Sequence, residues 1–224
     1  MVTGASRGLG RAVAEAFAAE GARLVLTATE GRHLDAVLAA VRERGREAHG
    51  VALDLADPAA CDAAGAEALG ALGRLDVLIN NASLLGDRME LADYRMDVFE
   101  RVMAVNVTGT LRLIQTVLPG MSDGGAIVNV TSGAAARATW GAYAVSKHAL
   151  DGITLMLRDE LAPRGIRCVG VNPGGLRTAM RAAAYPGEDP ATLPRPESVV
   201  PVFLAIAEGA DPGPHVNARE WGSD

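Results

Sequence analysis

The chain reads as an α/β protein whose single parallel sheet is covered by helices on both faces. Three observations predict this. Strand-like runs alternate with helical runs from one end to the other. The strand-like runs are apolar throughout instead of at every second residue, which suits strands buried on both faces. Gly21, Gly45, Gly73 and Gly165 follow helical runs, where the residue past a helix end often takes positive φ.

The elements follow in order. A glycine-rich opening leads into a helix reaching Glu20, and Arg23 to Ala28 reads as a strand. Arg32 to Arg44 reads as a helix with Leu34, Val37, Leu38 and Val41 on one face. Ala48 to Leu53 is the next strand. Pro58 to Leu72 is a helix behind Asp57, a good N-cap with proline in the first turn. Leu75 to Ile79 is a strand, Met96 to Leu118 one long helix, and Ala126 to Val130 a strand. Ala142 to Leu161 is a helix with Val145, Ala149, Ile153, Met156, Leu157 and Leu161 at helical spacing. Ile166 to Val171 and Ser198 to Ala207 complete the pattern as strand and helix. Tyr185 to Pro196, with four prolines, reads as a loop bordering the site and able to close over a substrate. No repeat or linker divides the 224 residues, so residues 1–224 are expected to form one domain. Only Met1, Val2 and Thr3 precede the opening turn, where a strand of about five to six residues is expected. The first strand is therefore expected to be nearly missing, and the natural protein to begin several residues upstream.

Composition narrows the function. Hydrophobic residues make up 49% and aromatic ones 4%, so the core is built from Ala, Val, Leu and Ile. A net charge of −6, with acids and arginines interspersed, argues against nucleic acid or an anionic membrane as partner. No apolar run reaches the ~18 residues that span a bilayer, and no charged leader precedes an apolar segment; the cytoplasm is the expected location. Cys168, in an apolar run, is expected to be a buried free thiol. His33, His49, His148 and His215 show no metal-ligand spacing, so no metal is expected.

The chemistry centres on Tyr143 and Lys147, four apart and therefore on one helix face. A phenol titrates near ~10, and a cation beside it favours the phenolate, so the pair makes sense as a general acid/base unit. Lys147 is the only lysine, the other 20 cationic residues being arginine. A compact ammonium with rotatable donors suits this task better than a guanidinium.

Polar residues gather at the carboxyl ends of the strands, where ligands bind in such sheets. Gly4, Gly8 and Gly10 allow a tight turn and close approach of backbone to a pyrophosphate at a helix N-terminus. Asp54 can accept from an adenine amino group. Asn80-Asn81-Ala82, Thr131-Ser132 and Asn172-Pro173-Gly174 stand at the other strand ends.

In these motifs the chain resembles the short-chain dehydrogenase/reductase family over essentially its whole length. Thr3 to Gly10 matches the family's Thr-Gly-x-x-x-Gly-x-Gly turn. Asn80, Asn81 and Ala82 match its Asn-Asn-Ala-Gly segment, with Ser83 in place of the glycine. Asn106, Ser132, Tyr143 and Lys147 match its tetrad, and Pro173 to Thr178 its Pro-Gly segment ending in Thr. The resemblance implies a Rossmann-type doubly wound sheet and hydride transfer between NAD(P)(H) and a carbonyl or alcohol. It implies Tyr143 as acid/base, Lys147 on the nicotinamide ribose and lowering the Tyr143 pKa, Ser132 on the substrate oxygen, and Asn106 on a relay water. Gly4, Ser6, Arg7, Gly8, Leu9, Gly10, Asp54, Leu55, Asn81, Ala82, Tyr143, Lys147, Pro173, Gly174 and Thr178 would contact the cofactor. Two departures accompany Ser83 and the short first strand. Ser132 lies only eleven residues before Tyr143, and Pro212 and Pro214 stand in Ala210 to Asp224, where a final strand is usual.

At the second strand's tip, Thr27, Ala28 and Thr29 are neutral, while Ser6 and Arg7 offer a hydroxyl and a guanidinium for a 2′-phosphate; Glu30 pulls the other way. NADP(H) is expected over NAD(H). The expected protein is a carbonyl reductase resembling the 3-oxoacyl-carrier-protein reductase branch, acting on a small carbonyl or alcohol as a homodimer or homotetramer. The alternative is a degenerate, non-catalytic dinucleotide-binding or interaction protein, which would have no need of the Tyr143–Lys147 pair.

Overall fold

The computed structural model describes residues 1–135 and 137–222; Ser223 and Asp224, the end of the C-terminal stretch, lie outside them. The elements are α1 (Gly8–Ala19), β1 (Leu24–Ala28), α2 (Asp35–Glu43), β2 (Ala48–Ala52), α3 (Pro58–Leu72), β3 (Leu75–Asn80), α4 (Met96–Met103), α5 (Thr110–Val117), β4 (Met121–Val130), α6 (Gly141–Leu161), β5 (Arg167–Asn172), α7 (Ala179–Ala184), α8 (Val200–Ala207) and β6 (His215–Asn217). Every strand pairing is parallel: β1 with β2, and β3, β4, β5 and β6 in that order.

Val2 joins these two groups. It bridges Leu26 of β1 on one side and Ile79 of β3 on the other. Its N–H donates to Val25 O at 2.9 Å and its carbonyl accepts from Thr27 N at 3.0 Å, while Ile79 N donates to Met1 O at 2.9 Å and Thr3 N to Ile79 O at 3.0 Å. The centre of the sheet is thus present as one residue paired on both sides. Toward the amino ends of β1 and β3 the strands part around a cavity of about 360 Å³ lined by Met1, Leu24, Leu75 and Val77. It lies at the end of the sheet opposite to where ligands bind.

Two apolar layers sandwich the sheet. Val13, Phe17, Leu34, Val37, Val41, Val202, Phe203 and Ile206 bring α1, α2 and α8 onto one face. Cys61, Ala64, Leu113, Ile114, Leu157 and Leu161 bring α3, α5 and α6 onto the other. Both cysteines are buried free thiols, and burial pushes Cys168 up to about 12. The doubly wound α/β fold read from the alternation is the observed one.

Four expectations need correction. The run from Met96 to Leu118 is not one α-helix: Ala104–Gly109 is a π-helical segment between α4 and α5. There the ladder takes one extra residue, and Asn106 is turned fully inward. The 32–44 helix opens as a 3₁₀ turn over Gly31–Leu34 before α2 begins. Strand β4 starts at Met121, five residues early, because Met121 pairs with Leu75 across a bulge. A short final strand does form: the two prolines precede β6, whose register sets His215 beside Gly170 and Asn217 beside Asn172.

The π segment also fixes a close approach. A Cβ on Gly109 would overlap the carbonyl oxygen of Leu55 in the loop after β2. Gly109→Ala should therefore lower stability by about 3 kcal/mol, through overpacking against backbone that cannot give way. Urea unfolding midpoints at an unchanged m-value check this.

Candidate active site

The glycine turn is braced by the strand beside it. Thr3 Oγ1 accepts from the Asn81 and Ala82 amides, both at 3.0 Å, and Asn81 Nδ2 donates to Thr3 O at 2.9 Å and Gly4 O at 3.1 Å. Gly4 and Gly8 take φ of 63° and 57°. A Cβ on Gly4 would come within 2.9 Å of Ala82 Cα, and one on Gly10 would overlap Gly4 O and Asn81 Nδ2. Only glycine gives this backbone approach. Helix α1 then starts with no side-chain cap and no acid in its first turn, so its first N–H groups face outward with the positive end of the helix dipole. Arg7 is exposed and Ser6 half-buried beside it, and Leu9 lies in the core beneath. Thr178 caps α7 through Arg181 N at 3.2 Å, and its methyl faces Gly8. The Pro173-Gly174 turn is held by Gly174 N donating to Asn172 Oδ1 at 3.0 Å. The donor set and the glycine-lined approach fit a dinucleotide diphosphate.

Helix α6 is attached to the sheet by buried polar contacts. Lys147 Nζ donates to Val130 O at the tip of β4 at 2.7 Å. Asn129, one residue back, donates to Thr154 Oγ1 at 2.9 Å and accepts from Asn80 Nδ2 at 2.9 Å. Asn106 Nδ2 donates to Ser146 Oγ at 2.9 Å and to Leu84 O at 2.9 Å, and its Oδ1 accepts from Leu84 N at 2.8 Å. Both amide protons of Asn106 are thus engaged within the protein, and the side chain ties α6 to the loop after β3. A water relay to Lys147 would have to use groups other than these protons.

Tyr143 is 8% exposed, faces the Ser132 side chain, and has its ring centroid 5.5 Å from Lys147 Nζ. The short spacing is no obstacle: the turn after β4 brings Ser132 back to Tyr143. Thr131, by contrast, is buried. The expected lowering of the Tyr143 pKa is not what this geometry gives. Burial pushes the phenol up, the nearby Ser132 hydroxyl opposes it, and Lys147 points at a carbonyl instead of the phenol oxygen. Lys147 itself is pushed down to about 8 by burial, with Asp151 one turn on opposing.

The family model for short chain dehydrogenase matches residues 1–189. The chain belongs to the short-chain dehydrogenase/reductase family. It is 39% identical to the oxidoreductase YciK of Escherichia coli K12 over 214 residues, covering 91% of this chain and 83% of that protein. It is 35% identical to the 3-oxoacyl-[acyl-carrier-protein] reductase FabG of Aquifex aeolicus, covering 81% and 75%. A short chain dehydrogenase of Shigella flexneri 2a, solved with NADP, superposes with a TM-score of 0.91 at 36% identity, covering 97% of this chain and 95% of that one. Members of the family are oxidoreductases acting on CH–OH/C=O groups with NAD(P).

Within this family frame some residues stand apart. Ser83, in the glycine position, is accommodated, with its hydroxyl buried and unpartnered among the described residues. Asp54 is taken up by Arg101 Nη2 at 2.7 Å and Ala56 N at 2.9 Å, so adenine would share it with those donors. Leu55 is buried behind it. Glu30 is ion-paired with Arg32 next to it, which weakens its pull against a 2′-phosphate. The wall around Tyr143 went unread in the sequence. Trp140, Ala134, Ala144 and Ala184 pack on it, with Leu85 and Tyr185 at the edge. Trp140, three residues before Tyr143 in a chain with so few aromatics, was the legible signal.

The Lys147 shift has a measurable consequence. The folded protein releases this proton near pH 8, the unfolded chain only near 10.5. Between those values the unfolded state binds more protons, so stability rises with pH across the window and is lost as pH falls through 8. In the cofactor-free protein, wild type should gain on Lys147→Met between pH 8 and pH 10 in denaturant midpoint. Parallel pH profiles would contradict the buried, partly desolvated ammonium.

Proposed function

We propose that this protein is an NADP(H)-dependent oxidoreductase that interconverts a small carbonyl compound and its alcohol, with Tyr143 as the acid/base. The observation that carries it is Tyr143 facing Ser132 beside a buried Lys147 anchored on Val130 O, at the carboxyl ends of the strands. When bound, the dinucleotide supplies or takes up the hydride. Tyr143 gives its hydroxyl proton to the carbonyl oxygen, or takes it back from the alcohol. Ser132 holds that oxygen where charge develops. Lys147, anchored on Val130 O with further ammonium protons in reserve, holds the ribose hydroxyls and favours the phenolate once it forms. Asn106 keeps α6 and the loop after β3 in register. Gly4, Ser6, Arg7, Gly8, Leu9 and Gly10 receive the diphosphate and the 2′-phosphate, Asp54 and Leu55 border the adenine, and Asn81, Ala82, Pro173, Gly174 and Thr178 line the nicotinamide half.

NADP(H) is preferred in this reading because Arg7 is exposed beside the neutral tip of β1 and Glu30 is paired with Arg32; the NADP carried by the Shigella relative supports it. The whole chain acts as one dinucleotide-binding domain. Exposed Leu91, Met96, Leu155 and Met156, around α4 and on α6, support a homodimer or homotetramer, and the cytoplasm is the working location.

Tyr143→Phe should remove turnover by about 10²–10⁴-fold, as loss of a general acid does, while NADPH binding followed by nicotinamide fluorescence is kept. Retention of more than about a tenth of activity would take the acid role away from Tyr143. Arg7→Ala should weaken NADPH binding about ten- to a hundredfold and NADH binding far less, through loss of a charge-assisted contact. Equal weakening of both cofactors would leave Arg7 with a role in shaping the turn alone.

A further inference from the structure

Beside Tyr143 stands a cation that the proton transfer does not use. The Arg88 guanidinium, on the loop after β3, lies against two aromatic rings, its carbon 4.7 Å from the Trp140 centroid and 4.7 Å from that of Tyr185, and the two rings meet each other edge to face at 5.8 Å. Trp140 packs on Tyr143 with ring centroids 5.7 Å apart. Beyond Tyr185 lies Arg181, 3.8 Å from its ring. Tyr143, Trp140, Arg88, Tyr185 and Arg181 form one cluster that joins three segments far apart in sequence.

The two arginines differ in what neutralises them. Arg181 donates to both carboxylate oxygens of Glu188, at 2.6 and 2.7 Å. Arg88 makes no ion pair with any described residue; one N–H goes to the carbonyl of Ala184. A guanidinium carries its five N–H donors in its own plane. With the two rings gathered on one side and a single N–H committed to Ala184, the guanidinium keeps donors without a partner among the described residues, and Arg88 remains exposed to an incoming ligand. A planar fork with donors to spare can take a carboxylate through paired hydrogen bonds.

We propose that Arg88 is the specificity-determining residue of this site, and that the substrate is an oxo acid or hydroxy acid whose carboxylate binds the Arg88 edge while its carbonyl or hydroxyl meets Tyr143. This rests on the oxidoreductase reading above. Two stacking steps separate Arg88 from the Tyr143 ring, so the carboxylate stands several bonds from the reacting carbon. Trp140 forms the apolar wall between them.

The test compares straight-chain and aryl oxo acids with their methyl esters, using NADPH, in wild type, Arg88→Gln and Arg88→Lys. Wild type should have the higher kcat/KM on the acids. Arg88→Gln should lower the acid-to-ester ratio about ten- to a hundredfold, mainly through KM, as loss of a charged hydrogen bond does. Arg88→Lys, which keeps the charge without the fork, should retain part of the preference. A ratio unmoved by either substitution, with acids and esters falling together, overturns the proposal and leaves Arg88 as a pillar of the loop. A second readout does not need turnover. Trp221 is the only other tryptophan, so in a Trp221→Phe background the emission reports Trp140. With NADP⁺ present, the oxo acid should change that emission saturably and its ester much less, the difference vanishing in Arg88→Gln. Equal responses to acid and ester also overturn the proposal. Selective binding of the acids with no hydride transfer to any of them would uphold Arg88 and count against the oxidoreductase reading instead.

Discussion

A buried ammonium donating to one backbone carbonyl sets the geometry of this site. Lys147 reaches the carbonyl of Val130 at the tip of β4, and in doing so fixes the height of α6 along the sheet. Further along the helix Thr154 meets Asn129, and alongside Lys147, Ser146 meets Asn106. These polar contacts lie in an interface that Leu157 and Leu161 otherwise fill with apolar packing. Apolar packing tolerates small slides and rotations; a buried amide or ammonium that loses its partner does not, because an unmet polar group costs about 1–3 kcal/mol. The contacts therefore hold Tyr143 at Ser132.

The same logic arranges the other half of the cleft. Thr3 spends its side chain on the amides of Asn81 and Ala82, and Asn81 returns to the carbonyls of Thr3 and Gly4. The turn that would take a diphosphate is thereby fixed to β3 before any ligand arrives. Val2 ties the turn to β1 as well, through a single residue paired on both sides. Preorganised donors at a helix N-terminus need little rearrangement to meet an anion.

Much of this was legible in the sequence. The order of strands and helices, the glycine turn, and the residues brought together as Asn106, Ser132, Tyr143 and Lys147 follow from periodicity, spacing and family resemblance. What escaped has physical reasons. A π segment has nearly the apolar periodicity of the α-helix around it, so the break at Ala104–Gly109 left no pattern to read. The early start of β4 depends on a bulged pairing with Leu75 that is visible only when the two strands meet. The sign of the Tyr143 shift depends on burial, and sequence reveals the neighbouring charge but not the loss of water. The cluster of Arg88, Tyr185 and Trp140 unites three loops, and no local spacing announces it.

The central claim is that hydride passes between a nicotinamide and a carbonyl carbon held at Tyr143 and Ser132. It is tested most directly with NADPH deuterated at the hydride-donating carbon and a panel of ketones and oxo acids. The account predicts deuterium on the carbinol carbon of the product, from one face of the nicotinamide only, and no labelled product from Tyr143→Phe under the same conditions. NADPH bound by the wild type with no deuterium delivered to any carbonyl would contradict it.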